Sequence, residues 1–251
     1  MTISRDGEIL EFFDLIKPEI ALDALPTILT GLLITLLVTL LCGIFSLTLG
    51  VLVAFGRKSK SRALRLSLGA YVQIFRSTPF LLQLVYIYFV LPFFGIEIPP
   101  LPAGILALTL HYTAYLCEVY RGAIEAVPKG QTDAAKALGM RNRVIMVRVI
   151  MPQAIRTIIP ALCNYMVSLM KDTSLLSVVT VQEMMFRGQI YAAETYDYFT
   201  IYTMVFLIYF AVGFPGVKLV DYLEKRMKKG YASRGVVTSS EESLIAGGEK
   251  R

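Results

Sequence analysis

Polar side chains within otherwise apolar stretches are the part of this sequence that could do chemistry. One stretch carries a polar set at roughly helical spacing: Asn164, Ser168, Lys171 and Asp172. A helix would place this set on approximately one face. Because a charge at the centre of a membrane helix costs roughly 2.5–3.5 kcal/mol, Lys171 and Asp172 are expected to face protein, water or a ligand. Two interpretations stay open. The residues are either a structural pair at the outer end of the helix, held by interhelical hydrogen bonds, or a transient site for a zwitterion, in which Asp172 attracts an ammonium group and Lys171 a carboxylate.

A second apolar stretch carries His111, Tyr115 and Glu118, which are spaced by four and three residues and therefore share one helical face. A single histidine in such a helix is commonly a neutral, hydrogen-bonded core residue. Together the three side chains could instead line a wet central path, although Glu118 lies close enough to the predicted helix end to touch water. Gln83, in a third apolar stretch, is a further candidate for that path.

The sequence has no arrangement of residues typical of an enzyme or a metal site. It contains one histidine, and its cysteines, Cys42, Cys117 and Cys163, lie in apolar stretches at no metal-like spacing, so we predict that they pack. No nucleophile–base pair and no phosphate-binding Gly-rich motif with lysine is present. The sequence therefore predicts no catalytic residue, no metal and no cofactor in this chain.

The elements that would position these residues are membrane helices. The chain has 251 residues and is 55% hydrophobic, with a mean hydropathy of +0.61, which is too apolar for a soluble domain. A spanning helix needs about 20 apolar residues. The fold class predicted is therefore an all-α membrane protein with five transmembrane helices, at about 27–55, 78–94, 101–120, 153–181 and 199–223.

The distribution of lysine and arginine predicts the orientation of these helices. Basic residues are concentrated after the first, third and fifth predicted spans, whereas the tail before the first span is acidic. Because cytoplasmic loops carry the excess of basic residues, the N-terminus is predicted outside and the C-terminus in the cytoplasm. The net charge of +6 then reflects topology, and no basic patch with interleaved aromatic residues indicates nucleic-acid binding.

A polar stretch from Glu118 to Pro152 separates two of the apolar ones and is predicted to be cytoplasmic. Pro128 and Gly130 would end the preceding helix. Asp133 is expected in the first turn of a short helix, where a carboxylate suits the helix dipole. Gly139 would end that helix in a left-handed cap. Pro152 would interrupt the segment that follows. This stretch is either an ordinary loop or a short helix that fits into the cleft of another protein.

The remaining segments complete the predicted organisation. Residues 1–25 form an external tail, residues 26–223 the membrane domain and residues 224–251 a cytoplasmic tail expected to be disordered. Residues 62–75 predict a basic amphipathic helix at the cytoplasmic interface. Arg76 would extend from there to the lipid headgroups, and Pro79 would begin the second span. Residues 182–196 predict a short external helix.

The polar stretch resembles the coupling loop of bacterial ABC importer permeases. Its pattern, an acid followed by Ala-Ala, then glycine, two aliphatic positions and proline, is met by Asp133, Ala134, Ala135, Gly139, Val149, Met151 and Pro152. Segments 75–84 and 111–124 are similar to the polar amino acid branch of that family, and segment 171–175 resembles a string shared by much of the family. Two departures are that Asp133 stands where glutamate is usual, and His111 where asparagine or a small polar residue is commoner.

The resemblance implies the type I ABC importer fold, in which helices two to five form the core. It implies a complex with two ATP-binding subunits, a second permease subunit (identical or related) and an external or periplasmic substrate-binding protein, in the bacterial plasma membrane. ATP and Mg would be bound by the partner ATPase. Such a complex imports a polar L-amino acid by alternating access. The coupling residues implied are Gln131, Asp133, Ala134, Ala135, Leu138, Gly139 and Pro152.

The polar residues of the spans would then form the substrate pathway. This set comprises Gln83, His111, Tyr115, Glu118, Asn164, Ser168, Lys171 and Asp172. A competing hypothesis is a self-sufficient secondary transporter or channel that uses Glu118, Lys171 and Asp172 as ion-coupling groups. Inverted repeats would favour that hypothesis, and the sequence shows none.

Overall fold

The computed structural model describes the backbone of residues 16–248 and the side chains of residues 16–227. All regular structure in this part of the chain is helical. The α-helices are α1 Pro18–Gly56, α2 Arg62–Ser77, α3 Phe80–Val85, α4 Pro100–Glu125, α5 Lys129–Ala137, α6 Asn142–Ile145, α7 Met151–Asp172, α8 Met184–Thr195 and α9 Tyr198–Gly248.

Helix α1 begins earlier than predicted. Its first residue is Pro18, so residues 18–25 are helical and do not belong to an extended tail; residues 1–15 of that predicted tail lie outside the described residues. A proline suits the first helical position because its φ is preset and the amide hydrogen that it lacks has no partner there. Pro26 lies inside the helix.

Helices α2 and α3 form an elbow. Ser61 caps α2, since its hydroxyl accepts a hydrogen bond from the Leu64 amide. The chain then bends by 113° between Arg62–Ser77 and Phe80–Phe94, because Thr78 and Pro79 are extended. Pro79 is thus the cap residue of α3 and not its first helical residue. The amphipathic helix before the elbow is confirmed.

A π-turn precedes proline at two places in the chain. Tyr86–Val90 follows α3 as a π-turn and continues into a 3₁₀ turn with Pro92 at its start, and Met146–Ile150 lies between α6 and Pro152. A proline ring clashes with the carbonyl four residues earlier, and the wider π-turn relieves that clash. Pro152 therefore does not break the helical path, which continues from α6 into α7.

The last helices differ from the prediction mainly at their ends. Helix α7 continues as a 3₁₀ turn, Thr173–Val179, and α8 occupies the predicted position of the short external helix. Helix α9 extends to Gly248, so residues 224–248 are helical where a disordered tail was expected. The residues around Leu223 to Lys229 are largely strong helix formers. Residues 249–251 lie outside the described residues.

Three of the described helical segments are long and apolar enough to cross a membrane: Pro18–Gly56, Asn142–Val179 and Tyr198–Met227. The bent pair formed by Arg62–Ser77 and Phe80–Phe94 raises the number to four if it counts as one span. The third predicted span, 101–120, is present as helix α4, although α4 is not among the segments that meet this test.

The described chain divides into two compact units. The first comprises residues 16–118 and 165–215, and the second residues 119–164 and 216–248. The main core of the first unit joins α1, α3, α4 and α7 through Cys42, Leu84, Leu108 and Leu169. In the second unit Ala123, Ala154 and Ile158 form a smaller core. Small residues on α1 allow close packing in the first unit, since a Cβ at Gly31 would lie 2.8 Å from the Met184 Cα.

Candidate functional site

A buried hydrogen bond joins Gln83 of α3 to His111 of α4. The His111 Nδ1 lies 2.9 Å from the Gln83 Oε1. The amide nitrogen of Gln83 donates instead to the Phe75 carbonyl at 2.8 Å and to Thr78 at the elbow. Because Gln83 therefore presents its oxygen to the ring, His111 is the donor through Nδ1. His111 is a hydrogen-bonded, buried residue, and Gln83 fixes its orientation relative to the elbow.

Aromatic rings surround His111. Its ring centroid lies 4.9 Å from that of Tyr115, 5.3 Å from Phe80 and 5.4 Å from Tyr112. Tyr115 also contacts Tyr165 of α7, at 5.9 Å between centroids. The predicted common face of His111 and Tyr115 is thus present. Aromatic rings line it, and those of Tyr112 and Tyr165 carry hydroxyl groups.

Asp172 is held by a tyrosine that the sequence did not single out. The Tyr112 hydroxyl donates to the Asp172 Oδ2 at 2.7 Å. Lys171 is exposed, and within the described residues it forms no ion pair with Asp172. The bond from Tyr112 to Asp172 is nevertheless an interhelical hydrogen bond of the kind that the structural alternative expected. A buried tyrosine hydroxyl usually has a hydrogen-bond partner. The position of Tyr112 in an apolar stretch therefore indicated that its hydroxyl needs such a partner.

The other predicted pathway residues of α7 are less enclosed. Ser168 is half-buried in the first unit, one helical turn before Asp172. Asn164 is exposed and belongs to the second unit. Of the predicted set, the first unit therefore brings together Gln83, His111 and Tyr115, whereas Asn164 does not belong to the same unit.

Glu118 lies between two arginines in the first unit. Arg57, which directly follows α1, forms a close ion pair with the Glu118 Oε1, and the Arg76 Nη1 lies 3.8 Å from the Oε2. The Arg76 guanidinium also lies over the Tyr115 ring, 5.8 Å from its centroid. A carboxylate and an aromatic face of its own unit therefore attract the charge of Arg76, and its extension to the lipid headgroups stays a prediction.

These contacts define what the first unit can bind. A carboxylate, Asp172, and a guanidinium, Arg76, are both placed by contacts with the aromatic group around His111. Carboxylates attract ammonium groups, and guanidinium groups attract carboxylates. The first unit thus holds one anionic and one cationic side chain in contact with the same group of rings.

Glu183 is a buried carboxylate that sequence reasoning missed. It is fully buried and caps α8, accepting hydrogen bonds from the Phe186 amide at 2.7 Å and the Met185 amide at 2.9 Å. The Tyr209 hydroxyl donates to it at 3.0 Å and the Thr35 hydroxyl at 3.4 Å. Burial raises the pKa of the Glu183 carboxyl. Glutamate is not a preferred cap residue, so the sequence offered no clear signal.

Helix α5 of the second unit is the predicted short cytoplasmic helix, and its end has the predicted geometry. Gly139 has a φ of +75°, and its amide donates to the Lys136 carbonyl at 2.9 Å. The Met140 amide donates to the Ala135 carbonyl at 3.1 Å. These two bonds are those of a Schellman motif. The expectation of a left-handed glycine cap is confirmed.

The start of α5 and the position of Asp133 differ from the prediction. The helix begins at Lys129, after the cap residue Pro128. Asp133 is therefore beyond the first turn, and its carboxylate lies 3.9 Å from the Lys136 Nζ. The reason is that Pro128 favours the cap position and Gly130 does not interrupt the first turn.

Most of the predicted coupling residues are accessible. Leu138 is 81% exposed although it is apolar, and Gln131, Asp133, Ala134, Gly139 and Pro152 are exposed as well. Ala135 is the exception, since it is buried against its own unit. Ala135 therefore positions α5 and does not form part of its free surface. Leu138 is thus an exposed apolar side chain directly before the left-handed cap at Gly139.

A groove at the elbow between α2 and α3 has a volume of about 420 Å³. Apart from Gln83 and Thr78, its lining is hydrocarbon or aromatic: Ile74, Phe75, Leu82, Tyr86 and Ile87. Such a lining does not suit a zwitterion, so the groove does not extend the charged site.

Comparison with known proteins gives consistent results. The family model described as binding-protein-dependent transport system inner membrane component matches residues 46–229. A protein of Sinorhizobium fredii named a probable amino-acid ABC transporter permease is 39% identical over 209 residues, which cover 83% of this chain and 90% of that protein. The L-cystine transport system permease protein of Bacillus subtilis is 36% identical over 210 residues, covering 83% and 89%.

A solved structure shares the fold. It is described as the crystal structure of an amino acid ABC transporter with histidines, and it matches this chain with a TM-score of 0.77 and 32% sequence identity. The match covers 90% of this chain and 100% of the other.

Proposed function

Because this chain belongs to the family of binding-protein-dependent transport system inner membrane components, we propose that it is the permease subunit through which an ABC importer moves a polar L-amino acid into the cell. The chain is a multi-pass protein of the inner membrane with the type I ABC importer permease fold. Members of this family are not enzymes, and ATP hydrolysis resides in a separate subunit. Relatives named for amino acids and for L-cystine support an amino acid as the substrate class.

The observation that carries the coupling part of the proposal is the exposed leucine on α5. Leu138 is 81% exposed, and the Schellman motif at Gly139 fixes the backbone around it. We propose that this end of α5 docks into a cleft of the ATPase subunit, with Gln131, Asp133 and Ala134 on the same exposed segment. Closure of the ATPases would then move α5 and open the pathway outward.

The substrate pathway is proposed to run along the polar face of α4. Gln83, His111, Tyr115 and Glu118 would line it, together with Ser168, Lys171 and Asp172 of α7. The hydrogen bond that joins Tyr112 to Asp172 supports this role, because it holds a carboxylate half-buried rather than in bulk water. Asp172 would attract the ammonium group of the substrate.

We further propose five spans with the N-terminus outside and the C-terminus in the cytoplasm, with α4 as the third span. The asymmetry of basic residues supports this orientation. The complete importer would contain two permease subunits, identical or related, two ATP-binding subunits that hold ATP and Mg, and an external substrate-binding protein.

Substitution of Leu138 tests the docking role. Burial of a leucine contributes about 1.5–3 kcal/mol, so Leu138→Glu should lower ATP-driven amino acid uptake at least about 10-fold and weaken co-purification of the ATPase subunit. Leu138→Met is the matched control, because it keeps an apolar side chain of similar size, and it should retain most of the uptake. Unchanged uptake and ATPase recovery in Leu138→Glu would contradict the docking role.

A further inference from the structure

Glu118 is shared by two arginines, and the two contacts differ. Arg57 binds one carboxylate oxygen closely, whereas the Arg76 Nη1 remains 3.8 Å from the other. At that distance the second contact is an ion pair but not a hydrogen bond. Because Arg57 already neutralises Glu118, the group of Arg57, Arg76 and Glu118 carries an excess positive charge.

The Arg76 guanidinium has unused hydrogen-bonding capacity. Among the described residues it forms the Glu118 ion pair and lies over the Tyr115 ring, 5.8 Å from the guanidinium carbon to the ring centroid, and it also acts electrostatically on Tyr165. None of these interactions is a hydrogen bond. A guanidinium group has five N–H donors in a planar fork that matches a carboxylate. The side chain of Arg76 is 41% exposed, so an external anion can reach it.

The place of Arg76 in the fold connects it to the proposed pathway. It lies on α2 directly before the elbow, where Gln83 binds the Phe75 and Thr78 carbonyls and His111. Its ring partner Tyr115 contacts His111 and Tyr165. The cation is therefore held at the aromatic face of α4 by structure in its own unit.

We propose that Arg76 is a substrate-binding residue that takes the α-carboxylate of the transported amino acid. The substrate carboxylate accepts the hydrogen bonds that the Arg76 guanidinium does not make with Glu118, while Arg57 keeps its ion pair with Glu118. This inference rests on the proposed function and deepens it, because it assigns the carboxylate to Arg76 and not to Lys171. Lys171 is exposed, and its ammonium group lacks the planar fork that binds a carboxylate through two parallel bonds.

The test measures binding of amino acids to the purified permease–ATPase complex without the substrate-binding protein, so that only the pathway site contributes. The probes are radiolabelled L-glutamine, L-histidine, L-arginine and L-cystine, each in competition with its α-carboxamide. For the probe that binds most tightly, the wild-type complex should prefer the acid to the carboxamide at least about 10-fold, as expected for a charge-assisted hydrogen-bond pair. In Arg76→Gln the preference should fall to about twofold or less, with affinity for the carboxamide unchanged.

Three further variants distinguish direct binding by Arg76 from a general charge effect and from a structural role. Arg62→Gln removes one charge from the exposed first turn of α2 and should keep the wild-type preference. Glu118→Gln should keep or increase affinity for the acid, since it releases Arg76. If the ion pair between Glu118 and Arg76 were only structural, Glu118→Gln and Arg76→Gln would lose the same affinity for the acid. If Arg76→Gln fails to assemble, Arg76→Lys takes its place in the test. It keeps the charge and should retain part of the preference for the acid.

The outcomes separate the two proposals. If the wild-type complex binds none of the probes and shows no ATP-driven uptake of them, the proposed function fails. If the wild type binds and transports a probe but Arg76→Gln discriminates acid from carboxamide as the wild type does, only the role of Arg76 is refuted. Equal affinity of the wild type for acid and carboxamide also refutes it.

Discussion

The Asp172 carboxylate is oriented by the Tyr112 hydroxyl, so substitution of either residue can test the role of the carboxylate. Tyr112 donates to it at 2.7 Å from within α4. Asp172 itself ends α7, where the helix tightens into a 3₁₀ turn. Tyr112 thus links the residue proposed to attract the substrate ammonium group to the ring cluster around His111.

Asp172→Asn is predicted to lower uptake at least about 10-fold, because it removes the charge that attracts an ammonium group. Tyr112→Phe should have a smaller effect, about fivefold, since it removes one hydrogen bond worth roughly 1 kcal/mol. Both are measured as initial rates of uptake, with recovery of the assembled complex by size-exclusion chromatography as the control. Loss of assembly in Asp172→Asn would mean that Asp172 is structural.

Glu183 gives a pH dependence whose sign follows from its burial. Burial raises the pKa of its carboxyl above the ordinary value, so the folded protein binds this proton up to a higher pH than the unfolded chain does. The resulting contribution to stability is present below the ordinary pKa of about 4.3 and is lost as pH rises through the folded-state pKa.

Glu183→Gln is therefore predicted to flatten the decline in thermal stability as pH rises above about 4.5. The neutral amide still offers an oxygen to the Phe186 and Met185 amides that cap α8. The measurement is the unfolding midpoint in detergent at several pH values for both proteins. Parallel curves for wild type and variant would show that Glu183 does not titrate in this range.

At the scale of single residues, the sequence indicated which side chains were unusual but not their partners. Spacing placed His111 and Tyr115 on one face, and the structure confirms this. The links from Tyr112 to Asp172 and from Arg76 to Tyr115 join different helices, and no spacing within one helix specifies them. Arg76 illustrates the point, because its local context predicted contact with headgroups.

At the scale of elements, α5 was the most predictable part of the chain. Glycine is favoured at a left-handed cap because it has no Cβ, and this local rule fixed the position of Gly139. The start of the helix was less certain, since both Pro128 and Gly130 can act as boundaries. The π-turns before Pro92 and Pro152 were not predictable, because proline is equally compatible with a helix end.

Gly139→Ala is predicted to strain the end of α5, since a residue with a Cβ costs about 1–2 kcal/mol in the left-handed region. ATP-driven uptake should fall by about 5- to 30-fold as the cap opens. Gly122→Ala is the matched control in the same unit, because Gly122 lies in α4 with open space around its Cβ position. It should leave uptake intact and slightly stabilise the helix. Equal uptake in both variants would contradict a requirement for the cap.

At the scale of the whole molecule, composition and the lengths of the apolar stretches predicted an all-helical membrane protein, and family membership confirms the class. The helix ends were harder to predict, because both α1 and α4 extend past their apolar cores: α1 begins at Pro18 and α4 ends at Glu125. Hydropathy marks the part of a helix that lies in lipid, whereas the helix itself ends where caps or water satisfy its last backbone groups.

The central claim is that this chain provides a pathway and a docking helix but no energy source of its own. The most direct test compares vesicles that contain this chain alone with vesicles that contain it together with its ATPase subunit, both supplied with the external binding protein. The account predicts concentrative uptake of an L-amino acid only in the second preparation and only with ATP and Mg. Uptake by the chain alone, driven by a proton or sodium gradient without nucleotide, would contradict it.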